Sequence, residues 1–264
     1  GFTTIPGVKE GMLMSGFVPL LISDGSRLMS VSTSGEEGVG GSLSNVGGWV
    51  STPENGCMGM DSRRKKIIHA LGGEIVFTSA EKSLEGCLEE LSRIVAEDPE
   101  KYFIVNQFSN PLNPEIHYRT TAPEIWEDAR GNIDIFIAGV GSGGTLQGIG
   151  TFLKERNPKV KIVAVEPKNS AAFLGREPGL HQIQGIGDGF IPGVIDVNIV
   201  DMVFTVSDEE AIEMTRRLSR EEGLLVGTSS GANVFAAMHM DNGRNRIVTI
   251  LPDRAERYFS TALI

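Results

Sequence analysis

The chain has 264 residues, enough to bury a large core and to form two lobes or one large α/β unit. A hydrophobic share of 40% and a charged share of 22% are ordinary for a globular protein. A net charge of −10 with no basic run argues against nucleic acid or an anionic membrane as partner. Cys57 and Cys87 are too few for a disulfide scaffold, and the four histidines (His69, His117, His181, His239) lack metal-ligand spacing, so no metal is expected. With no apolar run of bilayer length, the expected compartment is a reducing cytoplasm.

Glycine occurs 33 times and unevenly. Residues 35–59 read as a glycine-rich, aperiodic loop. Residues 62–71 read as a short basic helix with Ile67, Ile68 and Leu71 on its apolar face, stopped by Gly72 and Gly73. A strand is expected over 74–78. Apolar groups at Leu84, Cys87, Leu88, Leu91, Ile94 and Val95 then predict an amphipathic helix over 81–97, with Cys87 in the core. Residues 102–106 read as a buried strand. The prolines and asparagines clustered at 110–114 mark a boundary between a smaller N-terminal lobe, 1–110, and a larger C-terminal lobe, 111–264; the first residues are expected to belong to the larger lobe.

The second half alternates: strand 133–138, helix 144–155, strand 161–165, strand 203–206. Ser207 and Glu210 form a capping box on a helix reaching Glu222, with Ala211, Met214, Thr215 and Leu218 inside and Gly223 as its stop. A last strand is expected over 246–251. Strands alternating with helices predict an α/β fold of mainly parallel sheets covered on both faces.

Between the first strand and helix of that half lies Gly141-Ser142-Gly143-Gly144-Thr145. Such a turn offers N–H groups with little side-chain bulk at the positive end of a helix dipole, a receptor for phosphate. Gly139 to Gly144 also fits G-x-G-x-x-G, with Glu166 ending the next strand where a dinucleotide fold holds a ribose. The Thr145 hydroxyl suits a phosphate monoester instead, and a tight turn without ligand fits the same residues.

Further motifs follow in order. They are Gln184-Gly185-Ile186-Gly187 before Gly189-Phe190-Ile191-Pro192, then Gly223-Leu224-Leu225-Val226-Gly227-Thr228-Ser229-Ser230-Gly231-Ala232, then Leu251-Pro252-Asp253-Arg254-Ala255-Glu256-Arg257-Tyr258. Together with Gly141–Thr145 they resemble the pyridoxal-phosphate β-replacement family that includes cysteine synthase (O-acetylserine sulfhydrylase) and cystathionine β-synthase. The stretch from Asn106 and Gln107 through Trp126 is similar to cysteine synthases in particular, and the likeness runs from about Arg63 onward. The resemblance implies the two-lobed fold type II architecture and pyridoxal 5′-phosphate as cofactor. It implies replacement of the acetate of O-acetylserine by sulfide to give L-cysteine, as part of amino-acid biosynthesis. It further implies a homodimer and the C-terminal tail of a serine acetyltransferase as a partner. Related β-replacement enzymes (cystathionine β-synthase, cyanoalanine synthase, phosphoserine sulfhydrylase) and a non-catalytic paralogue stay open.

Residue by residue, the resemblance assigns Gly141, Ser142, Gly143, Gly144 and Thr145 to the cofactor phosphate. Ser229 falls at the pyridine nitrogen, although an N-cap serine explains it too. Gln107 would bind the substrate carboxylate, and Gln184 to Gly187, Gly185 included, would face the cofactor. Lys9 aligns with the Schiff-base lysine that carries the α-proton. Thr33, Ser34 and Gly35 align with the loop gripping the amino-acid carboxylate. Glu36 and Glu37 stand where the family has Asn and Thr; a carboxylate at Glu36 would oppose the negative phenolic oxygen that the amide normally serves. Three accounts fit the eroded pattern over 11–59: a diverged catalytic loop, a corrupted or truncated N-terminal sequence, or a chain without activity. The contrast with the close C-terminal match favours the second.

Overall fold

The computed structural model describes residues 27–31, 48–51, 66, 68–71, 74–78, 83–99, 102–255 and 263. Among them run two four-stranded sheets in which every pairing is parallel. The first sheet holds β1 (Arg27–Val31), β2 (Gly48–Ser51), β3 (Glu74–Phe77) and β4 (Tyr102–Ile104), in the order β3-β2-β1-β4. Helix α1 (Ser83–Glu97) packs on it, with Cys87 and Leu91 buried against Val76, Tyr102 and Ile104. Two expectations need correction here. The aperiodic stretch 35–59 contains the strand β2, and Leu71, expected on an apolar face, is 37% exposed while Ile68 is buried.

Two short helices follow, α2 (Leu112–Arg119) and α3 (Thr121–Asp128). The proline–asparagine cluster read as a lobe boundary supplies the start of a helix: Pro111 is the N-cap residue of α2. Its fixed φ is already helical, and the N–H it lacks would have had no helical partner.

The second sheet holds β5 (Ile135–Gly139), β6 (Lys161–Pro167), β7 (Met202–Val206) and β8 (Ile247–Thr249), in the order β7-β6-β5-β8. Its helices are α4 (Gly144–Arg156), α5 (Asp208–Glu222) and α6 (Thr228–Met240). Alternate residues of β5 feed opposite faces. Phe136 and Ala138 pack with Leu146, Ile149 and Leu153 of α4, whereas Ile135 and Ile137 pack with Ala211 of α5 and Ala232 and Ala236 of α6. Both faces are covered, so the strand reads as an unbroken apolar run instead of an alternating one. The capping box forms as expected, with Ser207 Oγ accepting the Glu210 N–H and Glu210 Oε2 accepting the Ser207 N–H at 2.8 Å.

Strand β5 is joined by its successor β6 on one side and by the last strand β8 on the other. The chain leaves β5 toward β6, away from β8, and a crevice lies beyond the C-terminal ends of β5 and β8, where α/β sheets bind ligands. Among the described residues no helix is long and apolar enough to cross a membrane.

Candidate active site

A cleft of about 560 Å³, open to solvent, occupies that crevice. One end is the turn after β5. Gly141, Ser142, Gly143 and Thr145 line it, and Gly144 begins α4. Gly143 is the N-cap at φ +88°, and a Cβ there would stand 2.6 Å from Ile195 Cδ1. Only glycine tolerates both the left-handed backbone and that contact. The N–H groups of the first helical turn lack intrahelical acceptors and point outward, so the turn presents donors and positive dipole to the cleft. Lys154 and Arg156 close the other end of α4, complementing the same dipole.

His117 stands behind this turn. Its Nε2 lies 3.3 Å from Thr145 Oγ1 and its Nδ1 3.1 Å from Thr121 Oγ1. Burial pushes its pKa down to about 4, so the imidazole is neutral at physiological pH and steers the threonine hydroxyl without adding charge. The sequence carried no sign of this role, because threonine contact leaves no spacing motif. Among the described residues, the donors that line this end of the cleft are neutral. Asp253 is the one charged residue among those lining the cleft.

The opposite wall comes from α6 and the end of β8. Gly227, not Ser229, is the N-cap of α6, which corrects the capping explanation of Ser229. Ser229 is the second helical residue, 3% exposed, and lines the cleft. One turn later Asn233 donates from Nδ2 to the Ile250 carbonyl at 2.8 Å, while its Oδ1 is buried with no hydrogen-bond partner. Asn233 faces the same cleft, as do Ile250 and Pro252. Neither Asn233 nor Asp253 was singled out from sequence.

The third side is the loop of Gln184, Gly185 and Ile186, which all line the cleft. Gly187 anchors it. Its N–H donates to Val140 O at 2.9 Å, and its carbonyl accepts from Ser170 Oγ at 2.9 Å and from His181 Nε2 at 3.1 Å. Because a carbonyl only accepts, His181 must carry its proton on Nε2.

Gln107 is buried in the turn after β4 and stands behind the cleft, not in its lining. Its carbonyl accepts from Asn113 Nδ2 at 2.9 Å, and Asn113 also donates to Ser142 Oγ at 3.0 Å. Glu166 does not fit a ribose-binding role. It is 2% exposed, and its carboxylate accepts the backbone N–H groups of Ala172 and Phe173, the latter at 3.2 Å. Burial raises its pKa to about 7. Lys9, Thr33, Ser34, Gly35, Glu36 and Glu37 lie outside the described residues.

The sequence profile of the pyridoxal-phosphate-dependent enzymes matches residues 47–253, most of the chain. The chain belongs to that family. Lys9 and residues 33–37 precede the matched span. Cysteine synthase A of Salmonella typhi is 49% identical over 216 residues, covering 77% of this chain and 67% of that protein. The crystal structure of an O-acetylserine sulfhydrylase isoform from Entamoeba histolytica superposes with a TM-score of 0.81 at 35% identity, covering 92% of this chain and 73% of that one. An O-ureido-L-serine synthase structure gives a TM-score of 0.79 at 34% identity, covering 90% of this chain and 76% of that one. The architecture is that of fold type II pyridoxal-phosphate enzymes.

The residues present fit the cofactor of this family. A turn of N–H donors and two hydroxyls can hold a phosphate monoester, and across the cleft a serine hydroxyl at a helix start can meet a pyridine nitrogen. The positive end of α6 behind Ser229 would disfavour added positive charge on a group bound there.

Proposed function

We propose that this chain is a cysteine synthase, replacing the acetate of O-acetylserine by sulfide to give L-cysteine. The observation that carries this reading is a cleft with a glycine turn opening a helix at one end and Ser229 on the facing wall. When bound, pyridoxal phosphate supplies an electron sink for the α-carbon of the substrate. Gly141, Ser142, Gly143, Gly144 and Thr145 hold its phosphate; Ser229 meets the ring nitrogen through a neutral hydroxyl, which favours elimination over other fates; and Gly185 borders the substrate. Gln107, Thr33, Ser34 and Gly35 receive the amino-acid carboxylate. Lys9 takes the α-proton before acetate leaves and returns it after sulfide adds to the β-carbon. Splitting the substitution in two predicts ping-pong kinetics.

In the same reading the lobes divide at 110/111, with the first residues in the larger lobe. The enzyme works as a cytoplasmic homodimer, with the C-terminal tail of a serine acetyltransferase as a partner. The likeness to an O-ureido-L-serine synthase favours one alternative within the same chemistry, a different nucleophile in the second half-reaction. Glu36, placed by alignment at the cofactor's phenolic oxygen, favours a paralogue without activity.

One experiment tests the core of this proposal. The purified protein should be yellow, change its spectrum on adding O-acetylserine, and after borohydride reduction carry the modification on Lys9. Modification of another lysine removes Lys9 from the site, and an unchanged spectrum with O-acetylserine favours the inactive paralogue. Sulfide, cyanide and hydroxyurea supplied in turn then identify the nucleophile.

A further inference from the structure

One side chain joins the two ends of the site that serve different ligands in the reading above. Asn113, the second residue of α2, is 3% exposed and donates both hydrogens of its amide. One goes to the Gln107 carbonyl at 2.9 Å and the other to Ser142 Oγ at 3.0 Å. The amide cannot be flipped, because Gln107 O only accepts and would then face another oxygen. An amide nitrogen has no lone pair to offer, so Ser142 Oγ accepts, and its own hydrogen must point away from Asn113. Ser142 lines the cleft.

The remaining amide atom is poorly served. Among the described residues Asn113 Oδ1 is buried without a hydrogen-bond partner, and it presses on the start of α4, where a Cβ on Gly144 would stand 1.9 Å away. A buried acceptor without a donor is a standing cost to the fold. The two donated hydrogens, to Gln107 O and Ser142 Oγ, are what the side chain sets against that cost.

We propose that Asn113 is a positioning residue: it ties the Gln107 turn, at the amino-acid end, to the phosphate turn and directs the Ser142 hydroxyl into the cleft as a donor to the cofactor phosphate. This rests on the assignment of Gly141–Thr145 to pyridoxal phosphate.

The test titrates pyridoxal 5′-phosphate, with phosphate-free pyridoxal as control, into the full chain stripped of cofactor. Wild type, Asn113→Ala, Ser142→Ala and the double variant are compared, and the ³¹P resonance of the bound phosphate is recorded for each. Asn113→Ala should weaken pyridoxal phosphate about five- to twentyfold, the effect of losing one oriented bond to a charged group, and shift the ³¹P signal. Pyridoxal affinity should not change. The double variant should bind no worse than Ser142→Ala alone, since Asn113 acts through that hydroxyl. Asn113→Asp keeps the shape while replacing the donor by an acceptor, so it reports even if the alanine variant collapses; it should bind pyridoxal phosphate more weakly still. Wild-type affinity in either Asn113 variant overturns the proposal, as do additive losses in the double variant or an equal loss for pyridoxal. A wild-type chain that binds no pyridoxal phosphate overturns the cofactor assignment instead.

Discussion

Gly144→Ala isolates how tightly the phosphate turn is fitted to the helix before it. Gly144 is not among the residues with positive φ, so alanine is acceptable to the backbone and the effect is steric alone. Its Cβ would lie 1.9 Å from Asn113 Oδ1, 2.3 Å from Cγ and 2.7 Å from Nδ2. Carbon needs about 3.5 Å to a neighbouring heavy atom, so the amide must retreat by roughly 1.5 Å. That breaks its bonds to Gln107 O and Ser142 Oγ. Two lost hydrogen bonds at about 1 kcal/mol each, and a Gln107 carbonyl left dry at about 1–3 kcal/mol, set the loss. Alanine returns at most about 1 kcal/mol of helix propensity. The net is about 2–4 kcal/mol, on the order of 5–15 °C in Tm for a chain of this length. Thermal unfolding followed by circular dichroism measures it. In an Asn113→Ala background the obstacle is gone, and Gly144→Ala should then cost less than about 1 kcal/mol. An unchanged Tm for the single variant, or the same loss in both backgrounds, refutes the steric account.

Two buried groups should leave opposite marks on the pH dependence of stability. Glu166 has a folded pKa near 7, above its ordinary 4.5, so its neutral form is the one the fold prefers. Its contribution is complete below about pH 4.5 and is lost as pH rises through 7; Glu166→Gln should flatten that slope in urea unfolding between pH 5 and 8. His117 is held near 4, below its ordinary 6.5, so its contribution is present above 6.5 and lost as pH falls toward 4. His117→Gln should remove this acid-side loss, read from the same titrations between pH 6.5 and 4. Ser207→Ala removes one half of the capping box on α5 and should cost about 1 kcal/mol, checked by the urea midpoint at constant m-value.

Legibility in the sequence followed the physics of each element. Strand β5 is covered on both faces and announces itself as an apolar run, and α1 and α5 carry polar outer faces that make their periodicity plain. Helix α6 shows little periodicity because small residues such as Gly231, Ala232 and Ala236 are buried around it. Helices α2 and α3 have only 8 residues each, and the first opens in a proline–asparagine cluster that by composition is a linker. The turn after β5 was readable as a glycine turn opening a helix, because Gly143 sits in the left-handed region at the helix start. Asn113, His117 and Asn233 were not, since each acts through one contact with a residue distant in the chain, and such contacts leave no spacing behind. For Gln107 the carbonyl, not the side chain, makes the described link to the phosphate end.

Gly187 has its N–H committed to Val140 and its carbonyl shared by Ser170 and His181, so all its polar capacity is spent on three separate segments. Gly187 is thereby a fixed post between the end of β5 and the loop, and substitutions at Gln184 to Ile186 leave its three bonds in place. Efforts to widen the nucleophile range belong at Gln184 and Ile186, where side chains reach the cleft and the post stays fixed.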